Sequence, residues 1–126
     1  MWERIADLPQ AAELAPDEAL IKLTTLPFEV ERTVAQIEQL AAQADARTTI
    51  NARALNGVIY ARLRAVTTAS LNALLAELPG TQWVATALAG VPRWGPPPSG
   101  LDLMRRIKAE FDPAGMLNQG RYVEGI

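Results

Sequence analysis

Two segments of alternating polarity stand on either side of the dipeptide Asn56-Gly57. Residues 48–54 and 58–66 switch between apolar and polar side chains at nearly every step, which predicts two β-strands. Asn and Gly both tolerate positive φ, so the dipeptide predicts a tight hairpin between the two strands. The strands must therefore be antiparallel neighbours, and the rest of the chain has to be arranged around that pair.

The segments before and after the hairpin each contain one predicted strand and one predicted helix. Residues 18–25 alternate like a strand, and a helix that opens at Pro27 carries Val30, Val34, Ile37, Ala41 and Ala44 at helical spacing. After the hairpin, a second helix over residues 70–78 is capped by Thr67 or Thr68, and residues 82–88 form a fourth strand. We therefore expect an α+β fold, the ferredoxin-like split β-α-β-β-α-β plan, with antiparallel strands in the spatial order 4-1-3-2.

The C-terminal part of the chain adds a loop, a helix and a tail to this core. Residues 90–98 are too rich in Pro and Gly for regular structure. A third helix is predicted from near Ser99, with Asp102 at capping-box spacing, to Phe111. We expect Ile107 and Phe111 to anchor this helix on the core. Residues 114–126 are expected to form a turn-rich tail in which Asn118 and Gly120 adopt left-handed backbone conformations.

The length of 126 residues suits one domain. Pro9 and Pro16 interrupt residues 1–17, which we interpret as a lead-in or linker with at most one helical turn through Trp2, Ile5 and Leu8. The domain proper is expected over residues 18–126. It divides into the ferredoxin-like core, 18–88, and the C-terminal segment, 91–126.

The composition excludes several classes of function. The chain has no Cys and no His, which removes disulfides, thiolate or imidazole metal ligands, and any Ser-His-Asp or Cys-His site. The net charge of −2 gives no indication of nucleic-acid binding. No apolar run is long enough to cross a bilayer, and the N-terminus does not have the pattern of a signal peptide. A cytoplasmic protein is the default expectation, with any membrane association arising through partner subunits.

The sheet face away from the helices is predicted to be polar and basic. If Ile21, Leu23, Ile50, Ile59 and Leu63 face the helices, alternation sends the other set to the opposite face: Lys22, Thr24, Asn51, Arg53, Tyr60, Arg62 and Arg64. Clustered arginines suit a carboxylate, because the guanidinium can donate two parallel hydrogen bonds. The face is thus either one wall of an anion pocket, completed by another domain, or a solvated polar surface.

The segment VPRWGPPPSGLDLMRRIKAEFDPAGMLNQGRYVEGI, residues 91–126, resembles the C-terminal end of FAD-linked oxidases, most closely the FAD-binding subunit of glycolate oxidase. The likeness rests on the Trp-Gly-Pro loop, on Leu-Met-Arg-Arg-Ile-Lys, and on the motif Phe-Asp-Pro-x-Gly-x-Leu-Asn-x-Gly-Arg. In this chain that last motif is Phe111, Asp112, Pro113, Gly115, Leu117, Asn118, Gly120 and Arg121. Gln119 stands where the family usually has Pro.

The resemblance implies a substrate-side cap domain of an FAD-dependent 2-hydroxy-acid (glycolate-like) oxidase or dehydrogenase. In the family, FAD is held by a separate N-terminal domain that supplies the phosphate-binding loop. This sequence has no Gly-rich phosphate loop, so the chain alone is expected neither to hold FAD stably nor to be active. The implied partners are that domain, other oxidase subunits and a small 2-hydroxy acid. The expected substrate contacts are Tyr60, Arg62 and Arg53, with Arg93 and Trp94 from the loop. The expected cofactor contacts are Asn118 and Arg121. The alternative for these two residues is a purely structural role, in which the tail clasps the domain.

Two other interpretations do not involve flavin. The first is a stand-alone ferredoxin-like regulatory or assembly module, which would form a homodimer that buries the polar sheet face. The second is recognition of a partner through the polyproline run at residues 96–98, although three prolines within a family motif are better explained as a rigid loop.

Overall fold

A computed structural model of the chain describes residues 14–120 and 122–126, without the side chains of residues 81 and 124. The helical turn predicted through Trp2, Ile5 and Leu8, and the predicted cofactor contact Arg121, lie outside the described residues. In the described part of the chain, no helix has the length and apolarity needed to cross a membrane.

The described chain contains the predicted elements in the predicted order. They are β1 (Glu18–Thr24), α1 (Val30–Gln43), β2 (Arg47–Arg53), β3 (Val58–Arg64), α2 (Thr68–Glu77), β4 (Thr81–Thr86) and α3 (Leu101–Phe111). Short 3-10 turns lie at Pro27–Glu29, Ala54–Asn56 and Val123–Gly125. The strands pair antiparallel in the order β2-β3-β1-β4, which is the predicted 4-1-3-2 order counted from the other edge. The α+β class and the ferredoxin-like plan are confirmed.

The hydrophobic core lies between one sheet face and the helices α1 and α2. It joins apolar side chains of three strands to those of both helices: Ile21, Leu23, Ile59, Leu63, Val84, Val30, Ile37, Ala41, Leu71, Leu74 and Leu75. Ile50 of the edge strand β2 is partly buried against this cluster. The face predicted for Ile21, Leu23, Ile59 and Leu63 is therefore confirmed.

Local backbone signals explain where several elements begin and turn. Gly57 adopts φ of +70° between β2 and β3, as a hairpin residue should. Thr67 caps α2: its side chain accepts a hydrogen bond from the Ser70 N–H, and the Thr67 N–H donates to Ser70 Oγ, which completes a capping box. The predicted left-handed conformations in the tail are confirmed, with φ of +49° at Asn118 and +62° at Gly120.

The end of β3 differs from the prediction. Ala65 was expected to continue the strand, but it has φ of +62°, and β3 ends at Arg64, two residues before the predicted end. This turn reverses the alternation, so Val66, expected on the polar face, is buried in the core instead. A non-glycine residue in this conformation is uncommon. Alternation of polarity alone could not have indicated it.

Helix α3 does not pack as the sequence suggested. It begins at Leu101 rather than near Ser99, and its N-cap, Gly100, makes no side-chain hydrogen bond, so the capping box predicted at Asp102 is wrong. None of its residues is buried. Ile107 is 50% exposed and Phe111 82% exposed, so the expectation that they anchor the helix on the core is also wrong.

Candidate functional site

The sheet face opposite α1 and α2, called here the outer face, carries the polar residues expected of it. Strand register places Lys22 directly between Tyr60 of β3 and Trp83 of β4, with Asn51 of β2 opposite Tyr60. These four side chains form one row across the sheet, since directly paired residues point to the same side. The neighbouring rows contain Thr49, Arg62, Leu20 and Ala85 on one side, and Arg53, Val58 and Thr24 on the other.

One end of the outer face is an ion-pair cluster around a carboxylate. Glu18 is only 8% exposed, and its Oε2 atom accepts hydrogen bonds from Nη2 and Nε of Arg62 at 2.6 and 3.2 Å. Arg64 Nε lies 2.8 Å from the other oxygen, Oε1. The hydrogen bond from Arg62 is the main cause that holds the pKa of Glu18 below its ordinary value. Beside this cluster Leu20 is fully buried, so this end of the face is closed rather than open.

The other end of the outer face forms a groove of about 440 Å³. Lys22 lies among aromatic side chains there, and the lining is Lys22, Thr24, Tyr60, Gln82, Trp83, Trp94 and Tyr122. The Arg53 guanidinium lies 5.7 Å from the centre of the Tyr60 ring, within the range of a cation–π contact. An apolar concavity with a few polar groups is the usual form of a small-molecule site.

Backbone pairing fixes the far wall of this groove. The loop after β4 returns along the free edge of that strand, where the Val84 N–H donates to the Arg93 carbonyl at 2.8 Å and the Gly95 N–H donates to the Gln82 carbonyl at 3.1 Å. Trp94 lies between these two bonds and forms an isolated bridge with Trp83. A side chain at Gly95 would lie 3.0 Å from the Gln82 side chain, so the close approach favours glycine.

The C-terminal tail contributes the last aromatic residue of the groove. The Tyr122 ring meets the Trp94 ring edge to face, with centroids 4.9 Å apart and planes at 67°. Contacts of this geometry are favourable by roughly 0.5–1.5 kcal/mol beyond the area that they bury. Val123, the next residue, is buried. The tail is thus attached to the sheet beside the groove.

The turn after α3 directs the chain toward that attachment. The Asp112 carboxylate accepts hydrogen bonds from the N–H groups of Met116 and Leu117, at 2.8 and 2.9 Å, and pairs with the Lys108 ammonium. Lys108 also donates to the Leu117 carbonyl. The bond from Lys108, followed by those from the backbone, lowers the pKa of Asp112. Gly115, within the segment predicted to be rich in turns, has φ of +63° in this turn.

The structure brings together some of the residues predicted to contact substrate and separates others. Tyr60 and Trp94 both line the groove. Arg53 contacts the ring of Tyr60, whereas Arg62 is bound to Glu18. Arg93 lines a different cavity, together with Leu14 and residues of β4. Asn118, the predicted cofactor contact that is described, is exposed in the tail.

Five residues of the groove lining were missed as site residues from the sequence: Lys22, Thr24, Gln82, Trp83 and Tyr122. Lys22 was placed near the centre of the outer face, and the sequence contained enough information to propose it, because its strand is central in the predicted order. Trp83 follows from the same register argument. Tyr122 has no sequence signal of this kind, because its place depends on how the tail folds back.

One comparison with known proteins gives a match. Residues 96–122 match a sequence model of the family described as "FAD linked oxidases, C-terminal domain". No curated protein and no solved structure matches the chain. The matched segment contains α3, the Asp112 turn and Tyr122, and it supports the interpretation of the chain as part of an FAD-linked oxidase.

Proposed function

We propose that this chain is the substrate-side cap domain of an FAD-dependent 2-hydroxy-acid oxidoreductase, and that it closes over flavin held by a separate N-terminal domain. The observation that carries the proposal is the position of Tyr122. This residue ends the segment that matches FAD-linked oxidases, and its ring is also part of the groove wall. The family-like segment and the groove are therefore physically joined.

The groove does not fit FAD as a whole. A diphosphate is usually held by several backbone N–H groups at a glycine-rich turn or a helix N-terminus. Among the described residues that line the groove, Lys22 alone is cationic, and the others offer mainly ring faces. This is consistent with a division of labour in which another domain holds the cofactor. The flavin supplies the redox chemistry, and residues of this chain bind and orient the acid.

The exposed apolar surface of α3 is the proposed contact with the FAD-binding domain. Leu103, Ile107 and Phe111 recur at four-residue spacing on one side of the helix, and Met116 and Leu117 follow in the tail. All five are at least half exposed, and all five lie within the matched segment. Contiguous exposed apolar side chains of this kind mark interaction sites. The FAD-binding domain is the occupant to which the family match points.

The groove is the proposed substrate site, with Tyr60 and Trp94 as contacts. Arg53 would act by holding the Tyr60 ring, while Arg62 would shape the neighbouring part of the face through its bonds to Glu18. Arg93 lines another cavity and not the groove, so its proposed role is limited to presenting Trp94. The resemblance to the glycolate oxidase subunit makes small 2-hydroxy acids the first substrates to test.

The docking half of the proposal is tested by gel filtration. The chain is co-expressed with the FAD-binding domain encoded at the same locus, and co-elution of the two is expected. Ile107→Glu places a charge in the apolar surface of α3 and should abolish co-elution. Ala109→Glu is the matched control, because Ala109 is also exposed but lies on the opposite side of the helix. Equal co-elution of both variants would contradict this interface.

The division of labour is tested by flavin absorbance. FAD should be retained by the pair and not by this chain alone, with turnover of a 2-hydroxy acid only by the pair. Retention of FAD by the isolated chain would contradict the proposal. A flavin-independent homodimer that ignores the FAD-binding domain would favour the assembly module instead.

A further inference from the structure

Lys22 is the one basic residue among the described groove lining, and unlike Arg53, Arg62 and Arg64 of the outer face it has no partner in the described chain. Arg64 is paired with Glu18, and Arg53 lies against Tyr60. Within the described residues, Lys22 makes no hydrogen bond or ion pair. Its side chain is partly buried between Tyr60 and Trp83. An ammonium group that lies in an aromatic groove and has no counterion among the described residues is a site for an anion supplied by a ligand.

The walls around Lys22 are suited to a flat apolar group. Four aromatic side chains line the groove, namely Tyr60, Trp83, Trp94 and Tyr122. Trp94 is fixed by flanking backbone hydrogen bonds and by the Tyr122 ring. Because this wall is held in place without a ligand, little ordering is needed when a ring binds against it. Aromatic walls gain most from ligands that bring a ring of their own.

The size of the groove argues against a two-carbon acid as its full occupant. A volume of about 440 Å³ is within the usual range for sites of small organic ligands. Glycolate has no apolar group to place against the rings, so most of the aromatic wall would stay in contact with water. An acid with an aryl side chain would use the ammonium and the wall together.

We infer that the groove binds an aryl-substituted 2-hydroxy carboxylate, such as 3-phenyllactate, with its carboxylate on Lys22 and its ring against Trp83 and Trp94. The inference deepens the proposed function. It rests on that function only where it takes this ligand to be the substrate. The ligand class itself follows from the groove. The inference predicts that binding affinity depends on two separable features of the ligand, its carboxylate charge and its aromatic ring.

The test is ligand binding to the whole 126-residue chain without flavin, measured by calorimetry and by tryptophan fluorescence. The ligands are 3-phenyllactate, glycolate and 2-phenylethanol, which lacks the carboxylate. We expect 3-phenyllactate to bind at least about tenfold more tightly than either of the others. Lys22→Met should weaken 3-phenyllactate about tenfold and leave 2-phenylethanol unchanged, which also shows that the groove is still folded.

Two further variants separate the ring contribution from general effects. Trp83→Leu should weaken 3-phenyllactate and 2-phenylethanol alike, by about fivefold, while glycolate is unaffected. Arg32→Met is the matched control, since it removes an exposed cation from α1, on the helix side of the sheet. It should change nothing.

Three results would overturn the inference: glycolate binding as tightly as 3-phenyllactate, Lys22→Met having no effect on the acid, or no binding of 3-phenyllactate by either the chain or its complex with the FAD-binding domain. Failure of the proposed function has a different signature. In that case 3-phenyllactate would bind as expected, but the chain would not co-elute with the FAD-binding domain.

Discussion

Glu18 Oε2 lies 2.6 Å from Nη2 of Arg62, and the same carboxylate reaches Arg64 through its other oxygen. Glu18 and Arg62 are on neighbouring central strands and are 44 positions apart in the sequence. The pair lies beside the fully buried Leu20, and the side chains of Arg62 and Glu18 are 19% and 10% exposed. Removing one partner of such a pair is costly, because it leaves the other charge without compensation.

The Glu18 carboxylate should make the stability of the fold depend on pH. Its pKa in the folded chain is below the ordinary value of 4.5, chiefly through the bond from Arg62. A lowered pKa means that the carboxylate contributes stability above the unfolded pKa, and that this contribution is lost as the pH falls through the folded pKa. Glu18→Gln should therefore cost about 2 kcal/mol at neutral pH and much less near pH 3.

Urea unfolding of both proteins at a series of pH values measures this difference. Glu38→Gln is the control, because Glu38 is exposed on α1. A cost of Glu18→Gln that stays constant between neutral and acidic pH would show that the charge is not its cause.

Gly57 should be intolerant of any side chain. It has φ of +70°, and a Cβ built there would lie 1.9 Å from the Thr25 carbonyl oxygen, which belongs to the backbone and cannot rotate away. Gly57→Ala is expected to destabilise the fold by about 3 kcal/mol or more. Gly100→Ala is the control, since nothing lies within 4 Å of its Cβ position, and its effect should stay within about 1 kcal/mol. Similar denaturation midpoints for the two variants would contradict this account.

The sequence predicted those parts of the fold that local signals determine. The hairpin at Asn56-Gly57, the cap at Thr67 and the alternation in β1 and β3 each specify a conformation within a few residues. The packing of α3 was not predictable in this way. Spacing at Leu103, Ile107 and Phe111 indicates a helix with an apolar side, but it does not indicate what covers that side.

The candidate site was predicted only in part, for a similar reason. Tyr60 was found because alternation assigns it to the outer face. The pairing of Arg62 with Glu18 depends on the register between two distant strands, and the place of Tyr122 depends on the path of the tail. Both are long-range relationships that residue patterns do not contain.

Gln82 should stabilise the end of α2 from inside the core. It is almost fully buried, and its Nε2 donates to the carbonyls of Leu75 and Leu78 at 3.1 and 2.7 Å. These carbonyls lie at the C-terminal end of the helix, where Gln36 Nε2 also donates to the Glu77 carbonyl at 2.7 Å. The Gln82 Oε1 atom has no partner in the described chain. Replacing Gln82 therefore also removes an unpaired buried oxygen, which offsets part of the stability lost with the two hydrogen bonds.

We therefore expect Gln82→Met to cost about 1–2 kcal/mol in urea unfolding, because it keeps the shape but removes the side-chain donor of both carbonyls and leaves Leu75 only the long bond from the Leu78 N–H, at 3.4 Å. Gln43→Met, at the exposed end of α1, should have no measurable effect. An unchanged stability of the Gln82 variant would mean that water or a shifted backbone satisfies both carbonyls.

The Asp112 turn should govern the order of the tail without governing the stability of the core. Its carboxylate binds the N–H groups of Met116 and Leu117 and the Lys108 ammonium, while α3 itself has no buried residue. Asp112→Ala should therefore abolish the hydrogen-exchange protection of the Met116 and Leu117 amides and leave that of β1 and β3 unchanged. Asp102→Ala, at a highly exposed position of the same helix, is the control and should preserve the tail.

Acid should have the same effect as Asp112→Ala. Because Lys108 and the backbone bonds lower the pKa of Asp112 below its ordinary value of 3.8, the turn should persist through mildly acidic pH and open only when the pH falls through the lowered folded value. Exchange measured by NMR at decreasing pH, with the intrinsic exchange rate divided out, follows the two amides directly. Loss of their protection at a pH well above 3.8, or joint loss of protection in the tail and in β1, would contradict an Asp112-centred turn that opens independently of the core.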